Sequence, residues 1–265
     1  MRVILAEKPS VAQSIAAVLG ADQKKNGYLQ GENDLVSWCI GHLIELAPPE
    51  IYDARYAKWR REDLPIVPSA WESVVSDGTK KQFAVLKDLL NRTDVDEVVC
   101  ATDAGREGEL IFRMVYEKTG CTKPVKRLWI SSLEESAIRE GFRSLKPGSA
   151  YDALYRAALC RAQADWLVGI NGTRLYSRLY GTKLNVGRVM TPTLAMVAQR
   201  EKEIAAFQVE RFYTVQLSCG FPAQSGRIKT QEEAERIRAS CHCKRRRSSR
   251  LNAGRRKRSR PSSTT

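Results

Sequence analysis

Short apolar runs separated by amphipathic stretches set the rhythm of the first 150 residues. Residues 3–6 form an apolar run, as a buried strand does. Pro9 and Ser10 then open an apolar-periodic stretch that reaches Leu19, with Gly20 placed to end it as a helix. Residues 36–40 are β-rich, and residues 82–90 repeat like a helix. A second buried strand is predicted over 95–101, followed by a helix over 106–118 with Gly120 behind it. A strand over 127–130 and a helix over 133–145 complete the series, closed by Pro147 and Gly148. The proline-rich residues 47–71 read as an extended, irregular connection. Strands alternating with helices predict an α/β fold with a mostly parallel sheet covered on both faces.

The pattern changes after Gly148. Residues 151–180 and 192–207 carry helical spacings, and residues 212–219 alternate like a strand. Thr230 and Glu233 fit a capping box opening a short helix to about residue 240. The expected layout is an α/β domain over 1–150, a mainly helical domain over 151–207, and a partial β segment over 208–243. Residues 244–265 have too few apolar positions to bury a face and read as a disordered tail.

Composition sharpens this picture in three places. With 43% apolar residues in 265, wholesale disorder is excluded. No apolar run approaches the roughly 20 residues that span a bilayer, and charge returns too early for a signal peptide. A cytoplasmic protein is the expectation. The net charge of +14 is concentrated: residues 244–260 hold ten Lys or Arg and no acid, leaving a body with 34 basic and 30 acidic residues. A polyanionic partner is compatible with that charge but is not established by it. The seven cysteines contain no CxxC pair and read as ordinary reduced thiols. Cys241-His242-Cys243 has the make-up of half a zinc site, with no second half.

Candidate chemistry gathers at two strand ends. Glu7 follows the first strand, and Asp103, Glu107 and Glu109 follow the strand at 95–101. On the carboxyl edge of a parallel sheet, adjacent strand ends form the usual ligand crevice. Hard oxygen ligands gathered there suit Mg²⁺, which takes one or two carboxylates with waters and phosphate. Each acid also has a plainer reading, since acids at a helix start complement its dipole. Gly105 and Gly108 allow a tight backbone turn beside the acids, as close approach to a phosphate requires.

AEKPSVA at 6–12 together with ATDAGREGELIF at 101–112 resembles the TOPRIM domain, Rossmann-like in fold, of the type IA DNA topoisomerases. The closer resemblance is to their bacterial topoisomerase III branch. GHLIELAPPEIYD at 41–53, LPIVP at 64–68, RAQADWLVGINGTR at 161–174 and NVGRVMTPTLAMVAQRE at 185–201 fit the same family in the same order. The resemblance implies an isomerase that cuts one DNA strand with a tyrosine, passes another strand through, and reseals without ATP. It implies single-stranded DNA as partner, a RecQ-type helicase beside it, and Mg²⁺ as cofactor. Glu7 would be the acid–base for the leaving 3′-hydroxyl, and Glu7, Asp103 and Glu107 the metal ligands. The family usually shows DxDxE, whereas this chain has Gly105 at the middle acid.

In the helical segment, Arg161 and Asp165 are four apart and share a helix face, which by spacing alone is an ordinary surface ion pair. The resemblance assigns Arg161, Asp165, Arg174 and Arg188 to DNA binding near the cleavage site. Trp166, Tyr176 and Tyr180 have two readings, stacking platforms for unpaired bases or helix packing. The family nucleophile sits in a Tyr-Pro-Arg-Thr-like motif, and none of the nine tyrosines here is followed by Pro-Arg. The expectation is therefore a truncated topoisomerase without its nucleophile, with the basic residues from 244 onward the product of a shifted reading frame or a DNA-binding arm. The alternative is a non-catalytic single-stranded DNA-binding TOPRIM protein, or another TOPRIM metal-dependent phosphotransfer enzyme.

Overall fold

The computed structural model describes residues 1–218, 222–241 and 248–255, which divide into a compact unit Met1–Arg188 and a second unit from Val189 onward. The first unit runs β1 (Arg2–Ala6), α1 (Pro9–Leu19), β2 (Gln23–Lys25), β3 (Tyr28–Gln30), β4 (Asp34–Trp38), β5 (Ile44–Leu46), α2 (Pro49–Tyr52), β6 (Ser73–Val75) and α3 (Lys80–Leu90). It continues with β7 (Glu97–Ala101), α4 (Arg106–Thr119), β8 (Val125–Arg127), α5 (Glu135–Arg143), β9 (Lys146–Pro147) and the 29-residue α6 (Asp152–Tyr180). Seven strands form one sheet in the order β2-β3-β4-β1-β7-β8-β9, with β4, β1, β7 and β8 parallel.

The alternation of strand side chains builds two cores. Val3, Leu5, Val98 and Cys100 point to one face and pack with Leu86, Leu90, Phe112, Val115 and Ala158 of α3, α4 and α6. Ile4, Ala6, Val99 and Ala101 point to the other and meet Ala12, Ile15, Ala16 and Ile138 of α1 and α5. Continuous apolar runs are the signature of strands covered on both sides. Gly20 and Gly120 end α1 and α4 in the left-handed conformation, φ 71° and 70°, where a side chain would be strained. The cysteines described, Cys39, Cys100, Cys121, Cys160 and Cys241, are free thiols. His242 and Cys243 lie outside the described residues, so the half-zinc motif has no structural description.

Several elements differ from the sequence expectation. The first compact unit runs on to Arg188, with α6 packing its Tyr155, Ala158, Leu159 and Ala162 into the core beside α4. The strand expected at 127–130 is shifted to Val125–Arg127. The β2–β3 hairpin was not anticipated. The connection at 47–71 carries α2 and a 3₁₀ turn at Ala54–Ala57, and it is strapped to α6. The Asn171 side chain accepts from Ile66 N–H (2.6 Å) and donates to Ile66 C=O (2.9 Å), and Trp166 Nε1–H donates to Ala47 C=O (3.0 Å).

The second unit contains α7 (Met190–Ala205), β10 (Arg211–Ser218), β11 (Pro222–Gln224), α8 (Gln231–Ser240) and β12 (Ser248–Arg255). Thr230 caps α8 as expected, its hydroxyl accepting from Glu233 N–H at 3.4 Å. β10 lies between β11 and β12, both antiparallel to it. Residues 248–255, expected within a structureless tail, therefore form a strand paired with all eight residues of β10. Residues 244–247 and 256–265 lie outside the described residues.

Candidate functional site

β1 and β7 are parallel neighbours with Ala6 opposite Ala101, so Glu7 and the Thr102–Asp103 pair leave the sheet side by side at its carboxyl edge. The backbone N–H of Asp103 donates to Glu7 Oε2 at 3.3 Å. Glu7 is 9% exposed, with Lys8 Nζ 4.0 Å from its other oxygen.

The turn from β7 into α4 depends on one glycine, for a reason other than phosphate access. A Cβ on Gly108 would stand 2.2 Å from the Asp103 carbonyl oxygen, whereas Gly105 is extended (φ −175°) with open space around it. Thr102 Oγ1 donates to Gly108 C=O at 2.8 Å and closes the turn. Gly108→Ala is expected to destabilise the protein by about 1–3 kcal/mol through this overlap. Urea denaturation checks it, with Gly105→Ala as the near-neutral control.

The acids have separate fates. Glu107 is exposed and hydrogen-bonded to His42 Nε2 at 2.6 Å. Among the described residues, no three His, Cys, Asp or Glu side chains stand in a group able to hold a metal ion. Glu109 is buried and takes the plainer, structural reading. Its oxygens pair with Arg127 Nε (3.0 Å) and Arg113 Nε (3.0 Å). Arg127, fully buried, donates further to the carbonyls of Cys100, Thr102, Leu128 and Asp103 at 2.7–3.1 Å. Arg113 donates to Gly148 C=O and Asp152, both at 2.7 Å, which ties α4 to the start of α6. The neighbouring Cys100 thiol is pushed up to about 11 by burial, so it stays protonated and unreactive at neutral pH.

On α6, Asp165 sits between two arginines, Arg188 Nε at 2.6 Å and Arg161 Nε at 3.7 Å. The Arg188 hydrogen bond, with the charges of both arginines, holds its carboxyl below the usual range. All three side chains are more than two-fifths exposed, so both guanidiniums keep donors for a ligand. A cleft of about 370 Å³ runs between the start of α4 and α6, lined by His42, Glu107, Arg161, Asp165 and Trp166.

Arg174 does not join the cluster. Only 6% exposed, it donates to Tyr56 C=O at 2.7 Å and lies over the Trp59 ring at 5.4 Å. Burial lowers its pKa. Its guanidinium is bonded to the strap, apart from the Arg161–Asp165–Arg188 cluster. Trp166 takes the packing role, edge-on to Trp71 (5.4 Å) and Tyr52 (6.0 Å). Tyr176 and Tyr180 stack at 6.3 Å, nearly parallel at 13°, and are 45% and 69% exposed. His42, Arg113 and Arg127 were not singled out in the sequence. For His42 the signal lay in its GHLIEL segment and in there being only two histidines.

The Toprim domain family matches residues 2–133, and the bacterial DNA topoisomerase family matches 149–264. The changeover falls where the sequence pattern changes. DNA topoisomerase 3 of Bacillus anthracis is 51% identical over 214 residues, which is 81% of this chain and 29% of that protein. DNA topoisomerase 3 of Shouchella clausii is 52% identical over the same coverage, and that of Staphylococcus epidermidis 47% over 89% of this chain and 34% of its own. Full-length topoisomerase I from Thermotoga maritima superposes with a TM-score of 0.60 at 24% identity, over 89% of this chain and 37% of that one, which shows the fold. The chain thus spans about a third or less of the length of these curated relatives. With both matches in order and half of the 214 aligned residues identical to topoisomerase III sequences, the chain belongs to the type IA DNA topoisomerases, in their topoisomerase III branch.

Proposed function

We propose that this chain supplies the acid–base and strand-holding part of a topoisomerase III that breaks, passes and rejoins single-stranded DNA without ATP. The observation that carries the reading is the joined geometry. Glu7 and Asp103 emerge together from β1 and β7, and one cleft is lined by Glu107 together with Arg161 and Asp165, the latter paired with Arg188. The topoisomerase match through 149–264 favours this over a primase-like or nuclease-like TOPRIM enzyme. A cytoplasmic location and a RecQ-type helicase partner belong to the same reading. Among the described residues no helix is long and apolar enough to cross a membrane.

Arg161 and Arg188 hold backbone phosphates, and Asp165 fixes both guanidiniums so that less freedom is lost on binding. Glu7, at the sheet edge, would give a proton to the 3′-oxygen when a tyrosine outside this chain bonds to phosphorus and displaces it. Toprim domains are metal-dependent, and we read the metal as Mg²⁺. The donor chemistry fits: two carboxylates with waters and phosphate suffice. Asp103 and Glu107, with Glu7 once it has given up its proton, would hold the ion, and the bound ion would neutralise phosphate charge.

The chain is expected to bind a single-stranded oligonucleotide more tightly than the duplex of equal length, with affinity falling as salt rises. Fluorescence anisotropy measures both, and Arg161→Ala with Arg188→Ala weakens the binding. Equal affinity for duplex overturns the reading, and so does a covalent protein–DNA adduct surviving denaturation, since no tyrosine here has the expected motif.

A further inference from the structure

The chain leaves α6 at Tyr180, turns on Gly181 (φ 67°) and runs back along the helix to Arg188. Two hydroxyls of α6 hold that return. Ser177 Oγ accepts from Leu184 N–H at 2.9 Å and donates to Leu184 C=O at 3.3 Å. Thr173 Oγ1 does the same for Val186, accepting at 2.9 Å and donating at 3.3 Å. Asp165 then meets Arg188 Nε at 2.6 Å. Positions 165, 169, 173 and 177 are four apart and follow one side of α6. The returning chain is thus held at residues 184, 186 and 188 in turn.

The fit is close. A Cβ on Gly172 would stand 2.8 Å from Val186 Cγ1, and a valine side chain is stiff. Ser and Thr inside a helix commonly turn back to the carbonyl four residues before them. Here both hydroxyls bond the returning backbone instead. The helix they stand on is itself held, with Asn171 bonded to Ile66 and Trp166 to Ala47. Register matters because a slip of one residue moves a chain by up to about 3.5 Å. A hydrogen bond of 2.6 Å tolerates a shift of under about 1 Å. An unanchored return would also leave Arg188 to find Asp165 from many backbone positions, at a cost in entropy.

We infer that Thr173 and Ser177 are positioning residues, whose hydroxyls clamp the backbone of Leu184 and Val186 so that Arg188 stands on Asp165 beside Arg161, set for a phosphate. Neither hydroxyl touches DNA in this role; both act through Arg188. The inference rests on the reading of Arg188 as a phosphate-holding residue and deepens it.

The test uses Thr173→Val/Ser177→Ala in the whole chain, with two readouts. The first needs no DNA. The Arg188 hydrogen bond is the largest cause of the low Asp165 pKa, so releasing Arg188 moves that pKa up toward the ordinary carboxylate range. NMR titration of the Asp165 carboxyl should show this rise in the double variant, as in Arg188→Ala, while Thr173→Ser, which keeps the hydroxyl, matches the parent. The second readout is anisotropy with a single-stranded oligonucleotide across a salt series. The double variant should bind roughly tenfold more weakly, and its log–log salt slope should fall by about 0.7, one phosphate contact. Added to Arg188→Ala, the same two substitutions should change neither value further. An unmoved Asp165, or a full extra loss on top of Arg188→Ala, overturns the clamp. A raised Asp165 with unchanged DNA affinity upholds the clamp and removes Arg188 from strand holding. Should the double variant fail to fold, Gly172→Ala, which favours the helix and displaces Val186 by crowding alone, is judged against the same outcomes.

Discussion

Replacing Glu109 with leucine destabilises the protein by about 3–5 kcal/mol, the usual consequence of leaving a buried guanidinium without its anion. Glu109 bridges Arg127 and Arg113, so Arg127 loses its carboxylate while Arg113 keeps Asp152. The informative variant is the double Glu109→Leu/Arg127→Leu. An ordinary buried pair swapped for apolar residues returns close to the parent's stability. Here Arg127 also holds the carbonyls of Cys100, Thr102, Leu128 and Asp103, and a buried acceptor left without a donor costs about 1–3 kcal/mol. The double variant is therefore expected to stay as unstable as the single one or become worse. Urea unfolding of all three chains decides it. Recovery in the double variant shows that the four carbonyl bonds contribute nothing.

Glu7→Gln lowers strand cleavage by ~10²–10⁴-fold, the usual contribution of a positioned acid–base group. Measuring it requires this N-terminal part joined to the remainder of a topoisomerase III, with plasmid relaxation and cleavage of a single-stranded oligonucleotide as readouts. The substitution keeps the side chain's shape and the acceptor for Asp103 N–H, so folding and DNA affinity are expected to hold. Relaxation at the parent rate removes Glu7 from the reaction.

The parallel sheet and the two acids at its edge were legible because both signals are local. A run such as Val98–Ala101 states its burial directly, and the residue after it stands at the strand end. The fates of Glu107 and Glu109 were not legible. They sit two residues apart, yet a helix turns 200° between them, sending one to solvent and His42 and the other into the core. The surroundings of Arg174 were not legible for a similar reason: its partners Tyr56 and Trp59 lie more than a hundred residues away and come together only in the fold. The β2–β3 hairpin was legible and missed. Asn26-Gly27 between Lys25 and Tyr28 is a hairpin-turn signal, and Gly27 takes a positive φ of 81°.

The pairing of β12 with β10 changes what removing the basic C-terminal residues would do. Trimming the chain after Cys241 discards ten positive charges, and it also strips one side of β10, which then stands at the rim of a two-stranded remnant. A strand of eight residues with a bare row of N–H and C=O groups is a template for pairing with another molecule, and a two-stranded remnant is barely stable alone. A shortened protein that clumps, or binds DNA differently, would thus report on a broken sheet as much as on lost charge. Neutralising substitutions outside 248–255 separate the two effects, because they leave the strand in place.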